Sequence, residues 1–152
     1  MALKLVLDEL GVPLRVKSLA DRKTLQKSVY ISQRLFPPLG YSFNWYLMGP
    51  YSPSLARDYY DLMNDPRKES ATAGFGLNDS VTDKIRQVRK WIPPPEGVEL
   101  KKAEWLELLA SVAFLNTNSD KAKADAILQR SKPELYPERQ AAYDALKDLG
   151  LS

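Results

Sequence analysis

With no histidine and no cysteine among its 152 residues, the chain leaves acid–base and metal chemistry to aspartate and glutamate alone. Asp58, Asp61 and Asp65 stand three and four residues apart, so one helical face can present all three, and such a row suits a hard divalent cation held through oxygen. Oxygen-only sites need several converging ligands, and no second acidic cluster completes this one. Tyr59 and Leu62 mark an apolar stripe opposite the aspartates, which makes the row the expected polar side of an amphipathic helix. Asp79 with Asp83, and Glu104 with Glu107, read as ordinary helix-start acids. The composition excludes Ser-His-Asp and Cys-His catalysis, zinc–thiolate sites and disulfides. No catalytic residue, metal site or cofactor is expected.

Two other groups of residues can carry function. The block from Tyr41 to Asp61 concentrates aromatic rings, a Gly-Pro step and Arg57 around one turn. Alternate residues of a half-buried strand face inward, so Phe43, Trp45 and Leu47 are expected to pack. That leaves Tyr46, Gly49, Pro50, Tyr51, Ser52, Arg57 and Asp58 as the candidate partner-binding turn. A Gly-Pro-Tyr-Ser turn at a helix start can offer free amides to an anion, although Ser52 can satisfy those amides itself as an N-cap. Arg57 and Asp58 can equally pair with each other and fix the turn.

The second group is basic. The chain carries a net charge of only +3, with Arg22, Lys23 and Lys27 on one expected helix and Lys84, Arg86, Arg89 and Lys90 on another. Nucleic-acid affinity comes largely from phosphate neutralisation, and a dedicated binder shows a stronger clustered face. Lys84, Arg86, Arg89 and Lys90 are therefore the alternative, nucleic-acid-binding site, against the reading of an ordinary solvated helix face.

The elements that must position these residues are mostly helices. Residues 1 to 10 form an amphipathic helix with Leu3, Val6, Leu7 and Leu10 on one face; its acidic pair and short apolar run are not those of a signal peptide. A helix from about Asp21 to Phe36 places Leu25, Val29, Ser32 and Phe36 on one stripe, with Arg22, Lys23, Lys27 and Arg34 outside it. Phe43 to Leu47 is a short strand that Gly49-Pro50 stops, and Ser52-Pro53 starts a helix running to about Asn64 that buries Leu55, Tyr59 and Leu62, with Met63 at its margin. Ala71 to Leu77 is a short strand or wing. A helix from Asp79 or Ser80 to Ile92 ends at Pro93-Pro94-Pro95, and one from Ala103 to Leu115, apolar nearly all round, is the hub of the core. Helices from Ser119 or Asp120 to Gln129 and from Pro137 to Leu149 complete the chain, with Gly150 as the left-handed cap. At this length a single domain buries about two thirds of its unfolded surface without disulfide or metal. No segment approaches the roughly twenty apolar residues of a membrane span.

Lys23-Thr24-Leu25-Gln26-Lys27-Ser28-Val29-Tyr30, followed by Phe43, Trp45-Tyr46 and Gly49-Pro50-Tyr51-Ser52, resembles the YwgA-type family of small prokaryotic proteins. It is more distantly similar to the Panacea/SocA antitoxin group, with its Lys-Leu-x-x-Leu-x-Tyr, Trp and Gly-Pro-x pattern. The resemblance covers roughly the first half; beyond Asp65 it rests on the helix near Leu106 to Leu115 and on Lys132-Pro133. Ser28 stands where a large apolar residue is commoner, and Met48 where an aromatic often sits. The resemblance implies a small, helix-rich, winged-helix-like domain without known catalysis, in regulatory, antitoxin or defence settings, and supplies no ligand. The expectation is one mainly α (α+β) domain over residues 1–152 with a two- or three-stranded sheet. It is expected to be a non-enzymatic, cytoplasmic module that binds a protein partner, a toxin or a defence or regulatory component, with nucleic-acid binding as the alternative.

Overall fold

Serine and asparagine side chains begin the helices where the sequence allows. Ser18 accepts from the Asp21 amide while Asp21 accepts from the Ser18 amide, a reciprocal cap that sets the start of the longest N-terminal helix. The computed structural model describes residues 2–36, 39–65 and 77–151. Its order is α1 (Ala2–Leu10), α2 (Leu19–Leu35), β1 (Asn44–Tyr46), β2 (Gly49–Tyr51), α3 (Pro53–Asn64), α4 (Asp79–Arg89), α5 (Lys102–Asn118), α6 (Lys121–Ser131) and α7 (Arg139–Asp148), with a 3₁₀ turn at Tyr136–Glu138 before α7. The protein is a helix-rich α+β fold whose described sheet is one antiparallel hairpin. Ala71 to Gly76, expected as strand or wing, lie outside the described residues.

The expected hub is the observed one. Along α5, every residue from Trp105 to Ala113 is buried, and Leu115 with them, so the helix is enclosed on all sides as its apolar sequence requires. α2 makes the most extensive packing against it, and α6, α7 and β2 close around it. One apolar core runs through all seven described helices, α6 contributing Ala124 and Leu128. The Trp105 indole is fully buried and donates to the Trp91 carbonyl, which ties the chain after α4 to the hub.

Two expectations about local structure need correction. Gly49-Pro50 does not stop a strand; it forms β2, pairing Tyr46 with Gly49 and Trp45 with Pro50. The chain reverses in two residues at Leu47-Met48, and Gly49 follows with φ 93°, a conformation that a side chain makes costly. Leu47 therefore stands at the hairpin tip, 85% exposed, instead of packing inward. Phe43 and Trp45 keep the expected alternation: Phe43 meets the Tyr30 ring edge-on with centroids 5.0 Å apart, and Trp45 stacks on Phe114 at 5.8 Å.

Arg57 is exposed, and Met63, expected at the margin of the buried face, is 42% exposed, because α3 has a narrow inner stripe of Leu55, Ala56, Tyr59 and Leu62. Lys27, expected outside the apolar stripe of its helix, is 1% exposed. α2 is covered from Thr24 to Ser32 on all sides, by the hub, α4, the hairpin and α1, so it has no solvent face in its middle turns.

Leu108 is fully buried in α5. Leu108→Ala is expected to lower unfolding free energy by about 2–5 kcal/mol, whereas Leu47→Ala at the hairpin tip changes it by less than about 0.5 kcal/mol. Guanidinium unfolding of both variants checks the assignment of hub and tip.

Candidate functional site

A lone carboxylate on an otherwise apolar buried helix must find cations, because an unpaired buried charge is strongly unfavourable. Glu107 is that carboxylate. It is 5% exposed, and each of its oxygens is taken: Lys23 Nζ lies 2.7 Å from Oε1 and Lys132 Nζ 3.0 Å from Oε2. Glu107 is thus the organiser of the site rather than an ordinary helix-start acid. α2 brings Lys23, α5 brings Glu107, and the segment just after α6 brings Lys132.

Lys132 and a third lysine, Lys27, hold the hairpin by its backbone. Lys132 donates to the Leu47 carbonyl and sits 5.6 Å from the centre of the Trp45 ring, and Lys27 donates to the Pro50 carbonyl at 2.9 Å. Gln26 completes the grip: its amide nitrogen donates to the Ser52 carbonyl at 3.0 Å and its oxygen accepts from the Ser52 amide at 2.9 Å. Ser52 Oγ in turn accepts from the Leu55 amide at the start of α3. The turn amides are therefore satisfied internally, as the capping reading of Ser52 requires. Gly49 passes so close to α5 that a Cβ there would lie 2.6 Å from Ser111 Oγ.

Beside this frame lies a cleft of about 360 Å³ between α2, the hairpin and α3. Arg22, Lys23 and Lys27 line one side and Tyr46, Tyr51 and Tyr59 the other. Tyr46 and Tyr51 meet edge-on with centroids 5.3 Å apart. Leu19, Tyr46, Leu47 and Tyr60, four of the large apolar side chains left exposed, all border the cleft.

Of the candidate residues, Tyr46 and Tyr51 reach this cleft, while Gly49, Pro50 and Ser52 form its buried support. Arg57 and Asp58 do not line it. Asp58 accepts instead from the Tyr41 hydroxyl at 2.6 Å, and burial followed by this hydrogen bond raises the Tyr41 pKa. Among the described residues, no group of three or more carboxylates is placed to hold a metal ion.

The α4 cations are largely engaged elsewhere. Arg86 Nε lies 2.8 Å from Glu9 Oε1, Arg89 donates to the Glu9 carbonyl at 3.1 Å, and Lys90 Nζ lies 3.6 Å from Asp148. Lys84 is exposed. α4 is thereby tied to α1 and α7.

Sequence reasoning missed the inward lysines. The available signal was Glu107 itself, a charge inside the apolar run of α5, together with Lys23 and Lys27 one helical turn apart. The class defined by this architecture is a helix-rich α+β protein with a hairpin locked to its hub by a buried ionic cluster. No family model matches the sequence, and no curated protein or solved structure matches it.

Burial pushes the Lys27 pKa down to about 8; Glu107 acts against that shift, and Lys132 and Lys23 reinforce it. Arg22 lines the same cleft from α2, Tyr46 and Tyr51 from the hairpin, and Tyr59 and Tyr60 from α3. Because the unfolded lysine holds its proton up to its ordinary value of 10.5, the unfolded state binds more protons between those limits, and stability rises with pH from about 8. Below pH 8 the penalty is fully present, on the order of 3 kcal/mol. Tyr30, Tyr41 and Tyr59, with pKa values raised by burial above the ordinary 10.0, lose stability only above pH 10, so the window from 8 to 10 isolates the lysine. From pH 7.5 to 9.5 the wild type is expected to gain about 2 kcal/mol relative to Lys27→Met. Parallel pH profiles in urea unfolding would count against the buried, charged Lys27. Gly49→Ala is expected to destabilise by about 2 kcal/mol or more through positive φ and the Ser111 contact, measured by the same unfolding curves.

Proposed function

We propose that this chain is a non-enzymatic regulatory or interaction module that binds a protein partner through the hairpin tip and the adjoining face of α3. The observation that carries this reading is the gathering of Leu19, Tyr46, Leu47 and Tyr60 around one cleft, with Met63 also exposed on α3. Large apolar side chains scattered singly need no explanation, whereas a cluster rimmed by polar groups is the usual mark of a docking surface. Tyrosine is also the side chain most enriched in binding hot spots alongside tryptophan and arginine.

Rigidity supports the same reading. The tip is presented by a turn whose carbonyls at Leu47 and Pro50 are held by lysines and whose last residue is gripped by Gln26. A preordered surface loses little side-chain and backbone freedom on association. Arg22 at the cleft and the exposed Arg57 stand near the apolar cluster, where acidic groups on a partner would complement them. The resemblance of the Lys23 to Ser52 segment to the YwgA-type and Panacea/SocA groups agrees with a partner that is a toxin or a component of a prokaryotic defence or regulatory complex, and with work in the cytosol. Among the described residues, no helix is long and apolar enough to cross a membrane.

Nucleic-acid binding through Lys84, Arg86, Arg89 and Lys90 is the less favoured alternative, because Glu9 and Asp148 already engage three of these cations.

Affinity purification from the native host after nuclease treatment, with wild type, Leu47→Asp and the Lys84→Glu/Lys90→Glu pair in parallel, tests the choice. A stoichiometric protein held by the wild type and the charge-reversed pair, and reduced at least tenfold by Leu47→Asp, is the expected outcome. Nucleic acid as sole companion in untreated samples, released by moderate salt and lost with the charge reversals, would contradict it.

A further inference from the structure

Lys27 is the largest polar group for which the partner-docking surface gives no use. It is 1% exposed, it lines the floor of the cleft between α2, the hairpin and α3, and an ammonium carries three N–H donors. Among the described residues, the Pro50 carbonyl is its one hydrogen-bond acceptor. Glu107 is engaged by Lys23 at Oε1 and by Lys132 at Oε2, and it acts on Lys27 through its charge without a hydrogen bond among the described residues. Three ammonium groups thus share one carboxylate. Gln26, which also borders the cleft, has its carbonyl oxygen committed to the Ser52 amide.

The rest of the cleft has the complementary character. No carboxylate lines it among the described residues, and Arg22 adds a third cation to Lys23 and Lys27. The cations come from α2, whereas Tyr46 and Tyr51 come from the hairpin and Tyr59 from α3, and Leu19 and Met48 add apolar lining. A volume of about 360 Å³ falls in the range of small-molecule sites, which pair an apolar wall with a few convergent polar groups. Burying an under-paired ammonium is unfavourable unless an anion compensates it.

We propose that this cleft is a binding site for a small anionic ligand with a flat apolar body, a carboxylate or phosphate group seated on Lys27, Lys23 and Arg22 and a ring against the tyrosines. The anion meets donors that are already oriented by the Pro50 carbonyl and by Glu107, so little ordering accompanies binding. The ring covers apolar surface that would otherwise face water. This inference shares Arg22 and Tyr46 with the partner-docking reading, but the two fail separately: ligand binding is measured on the isolated protein, and Leu47→Asp at the tip leaves the Lys27, Lys23 and Arg22 side chains in place.

The test is an amide ¹H–¹⁵N NMR titration of the full chain with phenyl phosphate and with 3-phenylpropionate, using 3-phenylpropionamide as the neutral analogue and inorganic phosphate as the ring-free one. Saturable shifts centred on Gln26, Lys27 and Tyr51 are expected with both anions. The amide analogue and inorganic phosphate are each expected to bind at least tenfold more weakly, as loss of one charge-assisted hydrogen bond or of the ring contact implies. Lys27→Met, whose spectrum also reports whether it is folded, is expected to weaken the anions at least tenfold. Equal binding of acid and amide by the wild type would overturn the proposal without recourse to any variant. So would linear, non-saturating shifts spread over surface lysines, or full affinity in folded Lys27→Met.

Discussion

The position of the hairpin depends on one buried carboxylate. Glu107 sits on the hub helix α5, and the two lysines that neutralise it come from α2 and from the segment after α6. Lys132, together with Lys27, then reaches the hairpin, where Lys132 holds the Leu47 carbonyl and Lys27 the Pro50 carbonyl. A pair of hydrogen-bonded strands only three residues long has little stability of its own. Here its free edge is fastened to cations instead of to a third strand. Removing the carboxylate would leave several buried ammonium groups without compensation, a far larger loss than removing a surface ion pair. Glu107, Lys23, Lys132 and the hairpin therefore act as a unit.

Such an arrangement is not the most stable one available to a core. Replacing buried ions by well-packed apolar groups of similar volume is often neutral or stabilising, and the lowered pKa of Lys27 expresses the same cost in the folded state. Ser28 and Ser111 add two buried hydroxyls without a hydrogen-bond partner among the described residues. Ser111 Oγ lies against Gly49, so the small residue and the absent side chain allow β2 to approach α5. Polar, under-satisfied groups are thus concentrated where the hairpin meets the hub, while α1 and the inner face of α4 bury only apolar chains. Under the proposed function, that concentration is where stability would be given up for binding.

Most of the helical frame was legible because its signals are local. Ser52 and Asp120 cap the helices that follow them, Pro53 fits the first helical position, and Gly150 takes φ 73° after α7. The unbroken apolar run in α5 announced the hub. The errors have a common physical origin in contacts distant along the chain. Lys27 reads as a surface lysine on a helical wheel, and only the hairpin folding over α2 encloses it. Leu47 reads as an inward strand residue, and only the two-residue reversal puts it at a tip. Tyr46 and Tyr51 were identifiable as candidates from their block, but their relation to Lys27 and Glu107 spans some eighty positions of sequence, beyond the reach of periodicity.

The central claim is that a charged lysine is enclosed between hub and hairpin with fewer acceptors than it has protons. Lysine-selective ¹³Cε NMR titration of the folded wild type measures this directly, with the Lys27 resonance assigned by its absence in Lys27→Met. The account predicts that Lys27 titrates near pH 8, well apart from the ordinary lysine value of 10.5. A Lys27 resonance that titrates near 10.5 would mean that the side chain is solvated, and would contradict the ionic frame on which the site is built.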